Sequence, residues 1–264
     1  MPTHPSEAAA QGHKKAGNML KLVEKDPECT QAHNSLGILL KNERKDFDGA
    51  EAAYRAAITA DPGYASAHYN LGKLLKNVRK DFDGAEAAYR AAITAEPGYA
   101  GAHYNLGILL RDVRKDFDGA EAAYRAAIAA NPGHAQAHNN LGYLLENERK
   151  DFDGAEAAYR AAIAADPGNS LAHCNLGLLL QNERKDFDGA EAAFRIAIKA
   201  DPGNSLHTCF AHYNLGALLQ SERKDIDGAE AAYRAAIKAD PGCVFAHKCR
   251  QWMTARSRQV DKHV

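Results

Sequence analysis

Residues 67–98 read AHYNLGKLLKNVRKDFDGAEAAYRAAITAEPG, and near-copies of this stretch fill most of the 264-residue chain. The dipeptide Ala-His marks each copy, and its histidines are 35 residues apart except for one interval of 39. They are His33, His68, His103, His138, His173, His212 and His247. A fixed period of this length predicts a repeat protein, in which each unit packs on its sequence neighbours.

Each repeat contains the patterns of two amphipathic helices. In the second copy, Leu71 and Leu75 are spaced for one face of a first helix, from about Ala67 to Arg79. Asp81 is a typical N-cap for a second helix, in which apolar residues again form one stripe. That helix ends before the Pro-Gly pair that closes the repeat, because proline disfavours helix at the residue before it. Two such helices cannot bury their stripes alone, so neighbouring repeats must stack.

The composition favours a foldable protein without a global charge bias. The formal net charge is −1, and 45% of the residues are hydrophobic. This balance argues against nucleic acid as a partner, and no apolar run is long enough for a membrane span. The five cysteines are odd in number and form no CxxC pair, so we expect free thiols and a cytoplasmic location. They are Cys29, Cys174, Cys209, Cys243 and Cys249.

These residues resemble the tetratricopeptide repeat. The matching positions are Leu71-Gly72, Leu75, Ala85, Tyr89, Ala92 and Pro97. Two departures are visible: His68 replaces the usual aromatic residue, and the unit is one residue longer than the usual length of about 34. The resemblance implies an all-α, right-handed superhelical solenoid of antiparallel helix pairs, about 14 helices in all. It also implies that the first helices line a concave groove.

The repeat boundaries divide the chain into three parts. We expect an N-terminal capping helix in residues 1–29, six helix pairs in 30–242, and a C-terminal capping helix and tail in 243–264. The interval of 39 reflects a four-residue insertion near 207–210. Because four residues are about one helical turn, the insertion is expected to lengthen a first helix without rotating its stripe.

One polar position recurs on the expected groove face. The residue before each Leu-Gly pair from the second repeat onward is an asparagine: Asn70, Asn105, Asn140, Asn175 and Asn214. An amide offers donors and an acceptor, so such a ladder can bind a peptide backbone of any sequence. It resembles the asparagine ladder in the repeat domain of protein O-linked N-acetylglucosamine transferase. The alternative is that each asparagine only bonds a neighbouring helix.

Variable positions on the same face are the candidates for specificity. The candidate contacts beside the ladder are Tyr69, Tyr104, Tyr213, Tyr143, Lys73, Lys76 and Arg111. The cations belong to the first three repeats, whereas the later repeats carry neutral or acidic residues there. The hypothesis is that an acidic or phosphorylated segment binds the basic half, and the alternative is a solvated charged face.

Other functions find little support in the sequence. The family's clamp for chaperone C-terminal tails needs a Lys–Arg pair where this chain has Gly101 and Asn105, so that partner is not expected. No unique catalytic constellation or cofactor motif stands outside the repeat pattern, so we expect no enzyme activity and no cofactor. The one irregular cluster, with Cys and His at close spacing, leaves a zinc site open. It comprises His207, Cys209, His212, Cys243, His247 and Cys249.

The sequence therefore predicts a non-catalytic scaffold or adaptor that binds an extended peptide in its groove. The alternative is a substrate-targeting repeat arm of a larger enzyme or complex. We expect neither nucleic acid nor a membrane as a partner.

Overall fold

The computed structural model describes residues 17–200 and 205–260, with side chains described in 17–200 and 206–256. Fourteen α-helices lie in these residues, as the repeat count predicts. Helix α1 occupies residues 17–25, and α14 spans Val244–Val260. The remainder of the expected N-terminal cap, and the tail after residue 260, lie outside the described residues. No helix in the described part is long and apolar enough to cross a membrane.

Six helix pairs lie between these terminal helices. The first helices are α2 (Thr30–Leu39), α4 (Ala65–Leu74), α6 (Ala100–Leu109), α8 (Ala135–Leu144), α10 (Ser170–Leu179) and α12 (Ser205–Leu218). The second helices are α3 (Phe47–Ala60), α5 (Phe82–Ala95), α7 (Phe117–Ala130), α9 (Phe152–Ala165), α11 (Phe187–Ala200) and α13 (Ile226–Ala239). The chain forms two compact units, Met1–Asn131 and Pro132–Val264, called here the N-terminal and C-terminal halves. Each half contains three consecutive helix pairs, and the architecture is that of a helical repeat solenoid.

Each first helix ends in a π-helical turn of five residues. These turns are Leu40–Arg44, Leu75–Arg79, Leu110–Arg114, Leu145–Arg149, Leu180–Arg184 and Leu219–Arg223. The lysine that follows is left-handed, with φ 58° at Lys80, and the next residue, Asp81, donates its N–H to the Leu75 carbonyl at 3.0 Å. The structure accommodates the additional residue of the repeat in this widened final turn.

The second helix begins where the sequence predicts. The Asp81 side chain accepts a hydrogen bond from the Gly84 N–H at 2.9 Å, which is an N-cap. The aspartates at the equivalent positions make the same bond: Asp46, Asp116, Asp151, Asp186 and Asp225. Capping therefore fixes where the chain reverses between the two helices of every repeat.

The core of each repeat forms where an aromatic ring covers a glycine. Tyr89 of α5 is fully buried, and a Cβ placed on Gly72 of α4 would lie 2.7 Å from its ring. Only glycine permits this approach of ring to helix, which explains the Leu-Gly pair of the repeat. Phe194 replaces the tyrosine in the fifth repeat and packs on Gly177 in the same way.

The four-residue insertion lengthens α12, which has 14 residues where the other first helices have 10. Cys209, in the longer helix, is joined by a disulfide to Cys243 at the start of the segment leading into α14. The prediction of free thiols was therefore wrong for these two residues. The two cysteines are 34 positions apart, close to one repeat, so stacking brings them side by side. Cys29, Cys174 and Cys249 are free, as expected.

Candidate functional site

The repeated histidines make structural contacts. In the first five repeats the ring Nε2 lies 2.7–3.1 Å from the carbonyl oxygen of the proline six positions earlier. These are His33, His68, His103, His138 and His173. In the sixth repeat the insertion places Leu206 six positions before His212, and burial lowers the pKa of His212. In these five repeats the imidazole thus ties the first helix to the turn that precedes it.

The ladder asparagines of the N-terminal half bond across the repeat junctions. Asn70 donates from Nδ2 to Asn34 Oδ1 at 3.0 Å, one repeat earlier. Asn105 donates to the hydroxyl of Tyr69 at 3.4 Å and to the carbonyl of Gly101 at 2.9 Å. Both asparagines are half-buried on the first-helix face. Asn34 and Tyr69 occupy equivalent positions, so the residue before each ladder position supplies the acceptor for the next repeat.

The same arrangement recurs in the C-terminal half with one exception. Asn175 donates to Asn139 Oδ1 at 3.0 Å. Asn214 is buried, and its Nδ2 has no hydrogen-bond partner among the described residues. The residue that would supply its acceptor is Cys174, which is a weak acceptor. Asn140 is half-buried on this face as well.

These bonds show how the ladder side chains are oriented. Asn70, Asn105 and Asn175 each donate an amide hydrogen to a side chain of the preceding repeat. A bond to a neighbouring helix is what the alternative interpretation of the ladder predicts. Asn34 and Asn139 occupy the variable position that Tyr69 has in the second repeat, and their role as acceptors was not predicted. The one signal available was their place immediately before the ladder position. An amide has two N–H groups and a carbonyl oxygen, so the single bond donated by Asn70 or Asn175 does not use all of its capacity, whereas Asn105 also donates to the Gly101 carbonyl.

The predicted aromatic contacts lie beside the ladder. Tyr69 packs edge-on against Tyr99 at 5.1 Å between ring centroids, and Tyr104 and Tyr213 pack on the buried tyrosines of their own repeats. Tyr143 is 44% exposed and is the most accessible of the candidate aromatic residues. The structure thus gives Tyr143 a solvent-facing ring, whereas the other three are partly used in packing.

The cationic candidates gather in the N-terminal half. Lys73 lies 5.2 Å from the Tyr69 ring centroid, which is a cation–π geometry. Burial lowers the pKa of Lys76, and Asp112 raises it while Arg111 lowers it further. Arg111 is itself paired with Asp112, Nε to Oδ1, at 2.6 Å. Asp112 therefore offsets part of the positive charge of Lys76 and Arg111.

The C-terminal half has an acidic residue at the corresponding position. Glu146 Oε2 accepts a hydrogen bond from the Tyr159 hydroxyl at 2.7 Å. Burial raises the pKa of Glu146, the Tyr159 bond lowers it, and the Glu183 charge raises it again. In the sixth repeat Gln220 accepts from Tyr233 in the same way at 3.0 Å. No local sequence pattern predicts this coupling of the two helices.

Two cavities lie in the N-terminal half, each lined by residues of two successive second helices and of the first helix between them. They measure about 540 and 550 Å³ and lie one repeat apart. Apolar residues make up most of each lining, and the polar groups around the first cavity are already engaged: Arg55 with Glu51, Thr59 with a carbonyl, His68 with Pro62, and Asp81 as an N-cap. Neither cavity therefore presents a set of converging polar groups without hydrogen-bond partners among the described residues.

The irregular Cys–His cluster does not assemble into a metal site in the described residues. No group of three or more His, Cys, Asp or Glu side chains there is arranged to hold a metal ion. Two of the expected ligands, Cys209 and Cys243, are bonded to each other instead.

Comparison with known families agrees with this geometry. The family model for the tetratricopeptide repeat matches residues 16–65, 43–98, 69–115, 104–170, 148–205 and 176–243. The chain is a tetratricopeptide-repeat protein. Tetratricopeptide repeats form protein-interaction scaffolds, and this chain carries six of them. A comparison with curated proteins gave no match.

Solved tetratricopeptide-repeat structures resemble the chain over most of its length. MamA is 27% identical with a TM-score of 0.56, and the alignment covers 66% of this chain and 93% of MamA. YrrB, described as a TPR protein with an unusual peptide-binding site, is 23% identical with a TM-score of 0.56, covering 73% and 96%. The Pseudomonas aeruginosa protein pilF is 19% identical with a TM-score of 0.69, covering 85% and 98%. The last two likenesses show the fold alone.

Proposed function

We propose that this tetratricopeptide-repeat protein is a non-catalytic adaptor whose first-helix face binds extended peptide segments. In each half, the ladder asparagines contact the peptide backbone. An extended chain advances about 3.3 Å per residue, and packed helices lie about 10 Å apart, so one amide serves roughly every third peptide residue. YrrB, described as a TPR protein with an unusual peptide-binding site, shares the fold.

The observation that carries the proposal is the repeated half-buried amide. Asn70 and Asn105 lie on the first-helix face, and each is oriented by a bond to the preceding repeat. A group held in one orientation loses little entropy when a ligand binds, which favours affinity. Their carbonyl oxygens have no protein donor among the described residues and suit a peptide N–H.

Charge supplies the second part of the proposal. The N-terminal half favours acidic or phosphorylated segments because Lys73, Lys76 and Arg111 share the ladder face. In the C-terminal half Glu146 and the exposed ring of Tyr143 replace them, and aromatic contacts dominate. The two halves therefore differ in the segments that they prefer.

The test is a selection of short random peptides on the full chain, followed by affinity measurements with variants. Asn70→Ala and Asn105→Ala are each expected to weaken binding about fivefold, since a hydrogen bond contributes about 1 kcal/mol. The matched controls are Thr59→Ala and Thr94→Ala, which remove polar groups from the second helices and are expected to leave affinity unchanged. Circular dichroism checks that each variant is folded.

Two results would contradict the proposal. If the folded double variant Asn70→Ala, Asn105→Ala bound the selected peptides with unchanged affinity, the ladder asparagines would not contribute to binding. Unchanged affinity for acidic peptides after Lys73→Glu, Lys76→Glu and Arg111→Glu would remove the role of charge.

A further inference from the structure

The lengthened first helix of the sixth repeat carries an apolar face of its own. Helix α12 is one turn longer than the equivalent helices, and Leu206, Phe210 and Tyr213 follow one another in it at intervals of four and three residues. This spacing places the three side chains on one face of the helix. Phe210 and Tyr213 are half-buried, whereas Leu206 is 51% exposed. The longer helix therefore leaves a large aliphatic side chain in solvent on the same face as two aromatic rings.

Helix α14 adds a second row of side chains to this face. The Phe245 ring lies 4.9 Å from that of Phe210 and 5.2 Å from that of Tyr213, measured between ring centroids. The neighbouring Val244 is 61% exposed, and a disulfide joins the two helices at this end. These side chains form one surface, called here the aromatic strip: Leu206, Phe210, Tyr213, Val244 and Phe245.

The aromatic strip has no counterpart in the earlier repeats. Phe210 and Phe245 each lie two positions before a repeated histidine. The residues at that position in the first five repeats are Gln31, Ser66, Gly101, Gln136 and Leu171. A residue that packing requires would be expected in every copy, as the glycine of the Leu-Gly pair is in all six repeats. In a chain of near-identical units, a change confined to one end favours a function at that end.

One cation lies against the strip. The Lys248 ammonium is 5.6 Å from the Tyr213 ring centroid and 5.8 Å from that of Phe245, which is a cation–π geometry. Lys248 is exposed and has no carboxylate partner among the described residues, whereas Arg256 of the same helix is held in ion pairs. Helices α12 and α14 contain no Asp or Glu. The strip therefore combines apolar surface with a positive charge, and the helices that form it supply no acidic side chain.

We propose that the aromatic strip and Lys248 bind a partner segment in which an aromatic residue is followed by an acidic residue. The partner's ring covers the exposed side chains of Leu206 and Val244 and packs on Phe245, since tilted and offset ring pairs are favourable. Its carboxylate pairs with Lys248, which makes the charges complementary. The inference rests on the proposed function, which brings a peptide to the first-helix face, and it names the residues recognised at the end of the C-terminal half.

The geometry favours a peptide over a membrane surface as the occupant. A helix that binds in the plane of a bilayer directs its aromatic residues into the lipid. In α14, Phe245 is instead engaged with α12, and the Trp252 ring packs on Tyr233 at 4.9 Å between centroids. The apolar groups left in solvent, Leu206 and Val244, are two aliphatic side chains. That area suits one partner side chain.

The experiment measures binding of a labelled peptide to the full chain by fluorescence anisotropy. The peptide carries Phe-Glu within glycine and serine residues, and the comparison peptides carry Ala-Glu or Phe-Gln at the same place. We expect Ala-Glu to bind about tenfold more weakly, the effect of burying one ring, and Phe-Gln about threefold more weakly, as for an exposed ion pair. Emission of Trp252, the one tryptophan of the chain, checks that α14 remains packed in each variant.

Surface substitutions test the strip without changing the core. The double variant Leu206→Ser, Val244→Ser is expected to weaken binding of the Phe-Glu peptide about fivefold, because the partner's ring loses apolar contacts. Ile196→Ser is the matched control, since Ile196 is 47% exposed on a second helix of the same half. Lys248→Gln is expected to abolish the preference for Phe-Glu over Phe-Gln, and Lys238→Gln, which changes an exposed lysine of α13, is expected to retain it.

The inference would be overturned by equal affinity for the Phe-Glu and Ala-Glu peptides, by unchanged binding in the folded Leu206→Ser, Val244→Ser variant, or by a glutamate preference that persists in Lys248→Gln. Binding of phosphatidylserine vesicles that needs Val244 and Lys248, without binding of the Phe-Glu peptide, would assign the strip to a membrane and overturn it too. If selected peptides depend on Asn70 and Asn105 but Phe-Glu is not preferred, the inference fails and the proposed function stands. If the preference persists without these asparagines, the ladder proposal fails and this inference stands.

Discussion

A lysine with positive φ ends every first helix, and this is where single residues are under most backbone constraint. Six lysines have φ between 55° and 58°: Lys45, Lys80, Lys115, Lys150, Lys185 and Lys224. A side chain in this region costs about 1 kcal/mol relative to glycine. The repeat retains lysine despite that cost, and nothing in the backbone geometry requires the side chain.

Replacing Lys80 by glycine is therefore expected to stabilise the protein. The gain is about 0.5–1 kcal/mol, less the extra freedom that glycine has in the unfolded chain. Urea denaturation measures it. Lys80→Ala is the control, because it removes the charge and keeps the strained φ; a gain as large in that variant would show that charge, and not backbone conformation, is the cause.

The contribution of Glu146 to the stability of the protein is predicted to depend on pH. Because burial raises the pKa of this carboxyl in the folded protein, the folded state holds its proton more strongly than the unfolded chain does. Its contribution to stability therefore falls as pH rises through the range above the unfolded value. Glu146→Gln removes this titration and keeps an oxygen for the Tyr159 hydroxyl, as Gln220 does for Tyr233.

We expect the free energy of unfolding of Glu146→Gln, relative to that of the wild type, to increase as the pH rises from about 4 to about 7. Urea denaturation at both pH values measures the difference. Glu43→Gln is the control, because Glu43 lies at the same kind of helix end but is exposed. A constant difference between wild type and Glu146→Gln across this range would contradict the prediction.

At the scale of elements, the ring-on-glycine contact is what fixes the two helices of a repeat. Gly72→Ala would place a Cβ 2.7 Å from the buried Tyr89 ring, which has little room to move. We expect a loss of about 1–3 kcal/mol, the usual cost of overpacking a core, in spite of the better helix propensity of alanine. Thermal and urea denaturation measure this loss.

Gly98→Ala is the matched control, since a Cβ at that turn meets nothing within 4 Å. It should leave stability within about 0.5 kcal/mol of the wild type, as for surface substitutions generally. If Gly72→Ala were no less stable than this control, the ring contact would not determine the pairing of the helices.

The helix pairs and their boundaries followed from the sequence because the signals that set them are local and repeated. Asp81 caps the second helix through a residue three positions away, and Leu71 and Leu75 mark their face by spacing alone. The hydrogen bonds of the candidate site could not be predicted from the sequence, because they join side chains of different repeats. The partner of Asn70 is Asn34, 36 positions earlier, and no local pattern specifies which atom of an amide is used.

At the scale of the whole molecule, the same ion pairs link successive repeats. In the N-terminal half, Arg79 contacts Asp48 and Glu51 of the preceding repeat, and Arg114 contacts Asp83 and Glu86. In the C-terminal half the linking arginines are Arg184, Arg223 and Arg256. The stability of a repeat protein is approximately a sum of repeat terms and neighbour terms, and these contacts belong to the neighbour terms.

This distinction predicts unequal effects for two arginines that share one carboxylate. Arg79 binds Glu51 from the next repeat, whereas Arg55 binds Glu51 from within the same helix. Arg79→Ala is expected to lower the free energy of unfolding more than Arg55→Ala, because it weakens the junction as well as a pair of charges. The difference should shrink in molar NaCl, which screens exposed charges. Equal losses in the two variants at low salt, measured by urea denaturation, would mean that the arginines contribute only as surface charges, and that contacts other than these ion pairs couple one repeat to the next.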